Sequence, residues 1–232
     1  MILAILQARM SSSRLPGKVL APVLGEPMIA RHVERLRRSQ RIDRLVVATS
    51  TDPSDTPLAE ACERLALPVH RGDLNDVLGR FVGAMADHPG ATAVVRLTAD
   101  CPLADWTVID ALIDRFVAED ADYASTNLPE RTWPHGLDAE VIRPEVLQRA
   151  HREAADAYER EHVTAFVYRR PDEHRMVGLS RSPPLDHLRW TVDYPEDLAF
   201  VRRVYEQLYP QNPAFGSDAI VALPENSSRG GP

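Results

Sequence analysis

The chain is 232 residues long, 44% hydrophobic and 26% charged, with a formal net charge of −7 at pH 7. These proportions exclude a disordered chain, supply enough for one buried α/β core, and argue against a protein that coats nucleic acid. Two cysteines in unrelated contexts, Cys62 and Cys101, offer neither a disulfide framework nor a zinc cluster, and no apolar run reaches membrane-spanning length.

The expectation is a cytoplasmic protein, because the first residues lack the basic flank and cleavage context of a signal peptide. Ile2 to Leu6 is a short apolar run that reads as a buried strand. It empties into a polar loop, Gln7 to Lys18. Pro27 to about Gln40 follows as a helix with Ile29, Val33 and Leu36 along one face, and Pro27 opens it where no intrahelical donor is needed. The basic stretch Arg31 to Arg44 reads as a solvated helix face. LVVATS, ending at Ser50, is a second buried strand, and Asp52-Pro53-Ser54-Asp55 is a turn and cap. Leu58 to Leu65 predicts a helix and Leu67 to His70 a strand.

Arg71 to Leu78 opens a helix that runs towards His88. AVVRLTADCP is a third buried strand ending in an acidic turn, a helix runs from Asp105 or Trp106 to Glu119, and Asp122 to Ser125 is a brief strand. This alternation predicts an α/β fold with a doubly wound, mostly parallel sheet. After Asn127 the pattern breaks into a Pro- and Gly-bearing loop, Leu128 to Leu137. Asp138 to Ile142 is extended, Pro144 to His151 and Tyr158 to Tyr168 are helical, and His174 to Ser180 and His187 to Val192 read as strands. Pro195 to Tyr209 is a helix with Leu198, Val201, Val204 and Leu208 on one face. One domain over residues 1–222 is expected, with 127–190 as a small α+β extension. The polar tail from Leu223 is expected to be disordered.

A strand that empties into a polar loop at the end of a parallel sheet is where α/β proteins bind phosphates. Gln7, Arg9, Arg14 and Lys18, with the hydroxyls of Ser11, Ser12 and Ser13, supply donors and positive charge. Lys18 is the single lysine among 27 basic residues, so this loop keeps a compact ammonium where the rest of the chain uses planar guanidinium. Asp100, Asp138 and Asp193 stand at predicted strand ends. Carboxylates facing one crevice hold Mg²⁺ beside substrate phosphates, and each equally fits a helix cap. Together with the basic loop they read as a metal and triphosphate cradle.

In order along the chain, QARMSSSRLPGKVL, RGDLNDVLGRF, RLTADCPL, RTWPHGLDAEV, YEREHVT and RWTVDYPEDL resemble the cytidylyltransferases of the spore-coat polysaccharide type. These are relatives of the enzymes that activate neuraminate and 3-deoxy-octulosonate. The resemblance runs from Met1 to about Tyr209. It implies a nucleotide-diphospho-sugar transferase-like fold, and transfer of CMP from CTP to an anionic small-molecule acceptor, such as an acidic sugar or phosphonate, with release of pyrophosphate. It further implies that Ala8, Arg9, Ser11, Ser12, Ser13 and Lys18 hold the triphosphate, that Arg71, Asp73 and Asp76 meet base and ribose, and that Asp100 and Asp193 bind Mg²⁺. Arg131, His135, Asp138, Glu161 and His162 would face the acceptor, in a homodimer that needs neither nucleic acid nor membrane.

Two positions depart from the family pattern: Ala99 stands where glycine is common before the aspartate, and Tyr194 replaces a small hydroxyl residue beside Asp193. Arg131, Arg181 and Arg189 are candidates for an acceptor's anionic group and equally for surface ion pairs. His135 and His162 are candidate general bases and equally structural histidines. Cys101 has no paired base and reads as a small buried residue, and Trp133 and Trp190 as packing residues. Two other readings stay open. A nucleotide-sugar glycosyltransferase would show an Asp-x-Asp site and little need for the Lys18 loop. A non-catalytic nucleotide-binding subunit would have lost a metal ligand.

Overall fold

Aliphatic and β-branched runs without polar alternation need cover on both faces, and three of them form the centre of the fold. The computed structural model describes residues 1–227. The strands are β1 (Ile2–Gln7), β2 (Pro22–Val23), β3 (Glu26–Pro27), β4 (Arg44–Ser50), β5 (Val69–Gly72), β6 (Ala93–Thr98), β7 (Tyr123–Ser125), β8 (Glu140–Ile142) and β9 (Met176–Gly178). The helices are α1 (Met28–Leu36), α2 (Thr56–Arg64), α3 (Val77–Ala86), α4 (Trp106–Ala118), α5 (Pro144–Glu153), α6 (Ala157–Glu161), α7 (Ala165–Tyr168), α8 (Pro195–Leu208) and α9 (Ser217–Val221).

Seven strands form one sheet in the order β5-β4-β1-β6-β8-β7-β9, and β2 with β3 makes a separate small hairpin. β1 pairs in parallel with β4 on one side and β6 on the other, with Gln7 opposite Ala48 and Thr98. β8 runs antiparallel to both its neighbours, and β9 returns parallel to β7. The fold is therefore the mostly parallel α/β sheet expected, and β8 and β9 from the later extension belong to the same sheet. No described helix is long and apolar enough to cross a membrane.

Successive side chains of β1 point to opposite faces. Ala4 and Leu6 pack with α1, α2 and α4, whereas Leu3 and Ile5 pack with α3, α5 and α7. A third apolar cluster joins Leu188, Trp190 and Val192 to α8, Met28 and Phe215. The sequence order creates a topological switch between β1 and β6: the chain leaves β1 towards β4 on one side, and β6 enters on the other. The loops after these two strands diverge and leave a crevice at their carboxyl ends.

Several boundaries differ from the expectation. The first helix stops at Leu36, and Arg37 to Ser39 turn back so that the Ser39 hydroxyl meets Asp110. The basic stretch is not a purely solvated face. Arg35 is 2% exposed and donates to the carbonyls of Ala104 (2.7 Å) and Phe215 (3.0 Å), which satisfies buried acceptors at two loop ends. Tyr158 to Tyr168 breaks into α6 and α7 at Val163, whose φ of +48° no helix can accept. His187 to Val192 is not a strand: it has one isolated bridge, His135 with Arg189, and its other bonds between backbone groups go to turns, among them the Val192 N–H to the Asp100 carbonyl. Of the tail, Leu223 packs on the third cluster and Asn226 and Ser227 make hydrogen bonds despite the segment's polar composition. The rest of the tail expected to be disordered lies outside the described residues.

His32 on α1 is fully buried, and neither ring nitrogen has a partner. Burial, with Arg35 alongside, pushes its imidazole down to about 3 from the ordinary 6.5. Between those values the unfolded chain binds a proton that the folded chain refuses, so stability falls as pH drops through the window, by up to about 1.4 kcal/mol per pH unit. A His32→Leu variant is expected to show a shallower loss of denaturation free energy over that window than the unmodified chain. Equal slopes would contradict the assignment.

Candidate active site

The loop after β1 is bent by Gly17, whose φ of +72° suits a residue without a Cβ, and its N–H donates to the Met10 carbonyl at 2.9 Å. The bend turns Lys18 inward until it is 9% exposed. Its ammonium donates to the Val192 carbonyl and to Asp193 Oδ1 at 3.2 Å, and lies 3.7 Å from Asp100 Oδ2. The loop's other end is pinned by Asp55, which is fully buried and accepts from the Met10 N–H (2.6 Å) and from Ser50. Asp55 reads locally as a turn residue, yet its work is to hold a loop 45 positions away.

Asp100 follows β6 at the other side of the switch, and its carbonyl accepts from the Val192 N–H at 2.8 Å. Asp193 precedes α8. Oδ1 takes Lys18 and Arg14 (2.7 Å), and Oδ2 takes Arg189 at 2.6 Å. Burial works to raise this carboxyl, and Lys18, Arg189 and Arg14 more than offset it, holding Asp193 below the usual carboxylate range. Asp197 is buried in the first turn of α8, where Oδ2 accepts the N–H groups of Asp193 (2.8 Å) and Tyr194 (2.9 Å). Tyr194 carries the Arg14 guanidinium over its ring, 5.2 Å from the centroid.

A cavity of about 350 Å³ opens between these loops, and Ala8, Arg9, Ser11, Ser12, Ser13, Arg14, Lys18, Asp100, Glu161, His162 and Asp193 line it. Arg9 lies 3.9 Å from Glu161 at the end of α6. A second cavity of about 190 Å³ adjoins it, lined by Arg96, Thr98, Asn127, Asp138, Glu140, His162, Thr164 and Tyr168. Arg96, Thr98 and His162 belong to both. Arg96 was not singled out in the sequence. The signal for it was a charged residue inside the apolar run AVVRLT, and burial is sustained by its contact with Glu140, which also receives the Tyr123 and Thr164 hydroxyls.

The other expected site residues stand elsewhere or are already engaged. Arg71 donates to the Ser50 carbonyl at 2.8 Å, Asp73 accepts from the Asn75 N–H at 2.7 Å, and Asp76 caps α3 through the Gly79 N–H at 2.9 Å; none lines either cavity. Asp138 accepts from Arg131 (2.6 Å), Asn127 (2.8 Å) and the Gly136 N–H (2.8 Å). Burial opposes its ionisation, but these donors outweigh burial and keep Asp138 below the usual range. His135 uses its main chain to hold the Leu188–Trp190 segment, and burial with Arg131 nearby lowers its imidazole. Arg181 pairs with Asp218 at 3.1 Å. Burial pushes the Cys101 thiol well above its ordinary value, which leaves no nucleophile there. Trp133 and Trp190 each donate Nε1–H to a backbone carbonyl.

The arrangement suits a polyanion, with cations from one loop facing two carboxylates across an ammonium. Asp100 and Asp193 carry hard oxygen donors of the kind a divalent cation takes, and in this arrangement Lys18, Arg14 and Arg189 occupy both oxygens of Asp193. Among the described residues no group of three or more His, Cys, Asp or Glu could hold a metal ion. The pair fits a cation that keeps water and draws its remaining oxygens from substrate phosphate, rather than one caged by protein.

The family described as cytidylyltransferase matches residues 3–208. The spore coat polysaccharide biosynthesis protein SpsF of Bacillus subtilis is 31% identical over 97% of this chain and 95% of its own length. A 3-deoxy-manno-octulosonate cytidylyltransferase of Sodalis glossinidius is 29% identical, covering 89% of this chain and 98% of that protein. The solved structure of a cytidylyltransferase from Leptospira borgpetersenii superposes with a TM-score of 0.88 at 27% identity, over 95% of this chain and 92% of that one.

Proposed function

The chain belongs to the cytidylyltransferase family, and on that premise we propose that this CTP-dependent nucleotidyltransferase moves CMP onto a hydroxyl oxygen of a sugar acid and releases pyrophosphate. The observation that carries the reading is the reach of one ammonium, Lys18 Nζ, to carboxylates at two distant strand ends, Asp193 at 3.2 Å and Asp100 at 3.7 Å. A nucleotide-sugar glycosyltransferase would have little use for that lysine. A binding subunit would have no reason to keep both aspartates.

In this reading Arg9, Lys18 and the Ser11–Ser13 loop receive the triphosphate. Asp100 and Asp193 hold Mg²⁺, which when bound supplies charge neutralisation at phosphate oxygens. Lys18 and Arg9 stabilise the negative charge that builds on the leaving pyrophosphate, and the cavity wall orients the acceptor oxygen behind the α-phosphorus. His162, which lines both cavities, takes the hydroxyl proton.

The smaller cavity supports a sugar acid over a phosphosugar or phosphonate. Among the described residues that line it, Arg96 is the lone cation, and it faces the carboxylates of Asp138 and Glu140. Arg131 is committed to Asp138. Such a lining repels a second phosphate and accepts hydroxyl donors, so it suits the polyol portion of the acceptor. The acceptor's own carboxylate then belongs on the larger, more basic cavity's side.

Pyrophosphate release measured with each nucleoside triphosphate against sugar acids, phosphonates and phosphosugars tests this. Turnover is expected with CTP and a sugar acid in the presence of Mg²⁺, and turnover of phosphosugars but not sugar acids would overturn the acceptor class. Lys18→Ala and Asp100→Asn are each expected to lower turnover by about 10²–10³, with the folded circular dichroism spectrum retained. Unchanged turnover in either would remove that residue from the site.

A further inference from the structure

The family match ends at residue 208, yet the arm that carries Asp193 is fastened from beyond it. Arg189 is gripped at both ends. Its backbone N–H donates to Ser227 Oγ at 2.9 Å, and its guanidinium donates to Asp193 Oδ2 at 2.6 Å. The neighbouring Trp190, wholly buried, donates Nε1–H to the Asn226 carbonyl at 2.6 Å. The tail is itself tied down: Asn226 Nδ2 donates to the Val221 carbonyl at 3.0 Å, and Glu225 pairs with Arg203 of α8 at 3.3 Å. These bonds run from a polar segment with little apolar surface, so their work is to fix direction rather than to add core.

The direction matters because the two oxygens of Asp193 are not equivalent. With Oδ2 held by Arg189, Oδ1 is the oxygen that meets Lys18 and Arg14 in the larger cavity. A long arginine side chain fixes a carboxylate only if its own backbone is fixed. We propose that Asn226 and Ser227 are a positioning element of the active site, holding Arg189 and Trp190 so that Arg189 presents Asp193 Oδ1 to Lys18 and the incoming nucleotide. This rests on the reading that Asp193 serves nucleotide binding.

The test is calorimetric binding of CTP with Mg²⁺, which needs no acceptor, to the full chain carrying Ser227→Ala, Ser227→Thr, Trp190→Phe or Asp193→Asn, with melting followed in parallel. Ser227→Ala and Trp190→Phe are each expected to weaken CTP binding about 3- to 10-fold, the scale of one lost hydrogen bond, and Ser227→Thr, which keeps the hydroxyl, to restore it. In an Arg189→Ala background Ser227→Ala is expected to add no further loss, since the tail acts through Arg189. Unchanged affinity in Ser227→Ala, failure of Ser227→Thr to restore it, or full additivity with Arg189→Ala would overturn the positioning role. If Asp193→Asn binds CTP as tightly as the unmodified chain, the role given to Asp193 fails instead, and the positioning role with it.

Discussion

An ammonium withdrawn from water must be matched by anions and hydrogen-bond acceptors, and the burial of Lys18 imposes that demand on this fold. Its partners are 174 positions away at Val192 and 175 away at Asp193, with Asp100 between them in the sequence. The first loop, the turn after β6 and the arm before α8 therefore all meet at the Lys18 side chain, and the Arg14–Asp193 pair and the Val192 N–H on the Asp100 carbonyl add to the tie. The parallel sheet makes this possible by bringing β1 and β6 side by side at a switch point. The sheet alone would not bring in the arm, which among the described residues pairs with no strand and meets the turn after β6 through the Val192 N–H on the Asp100 carbonyl.

Around that contact the charges are arranged in layers. Among the described residues Asp193 meets three cations, Lys18, Arg14 and Arg189, whereas Asp100 meets one, Lys18, and is the more exposed of the two. The larger cavity is lined by Arg9, Arg14 and Lys18 of the loop after β1. The smaller one is a polar chamber with its arginine paired to Glu140. The two cavities share the wall formed by Arg96, Thr98 and His162, so the function proposed above gives a phosphate-bearing donor and a hydroxyl-bearing acceptor adjoining places.

Much of this was legible in the sequence because it is local. Aliphatic runs marked β1, β4 and β6, and polar residues at their ends marked Lys18 and Asp100. Asp193 ahead of a Pro-started helix was visible for the same reason. What stayed hidden depends on partners far away in the chain. Arg96 sits inside an apolar run and is sustained by Glu140 on another strand. Asp55 looks like a turn residue but ties down Met10. The helix expected from Tyr158 to Tyr168 breaks at Val163, a β-branched residue whose left-handed backbone no local pattern announces. The segment from His187 to Val192 has strand-like composition, but its hydrogen bonds go to His135, Asp100, Lys18 and the tail instead of to a neighbouring strand.

Lys18 and Asp100 lie 3.7 Å apart in one cavity, and groups that act as a unit lose function together rather than in proportion. The most direct measurement is the rate of pyrophosphate release from CTP by Lys18→Ala, by Asp100→Asn and by the variant carrying both. The account predicts that the double variant is about as slow as the slower single one. Losses that multiply would contradict it, because they would show the lysine and the aspartate acting independently.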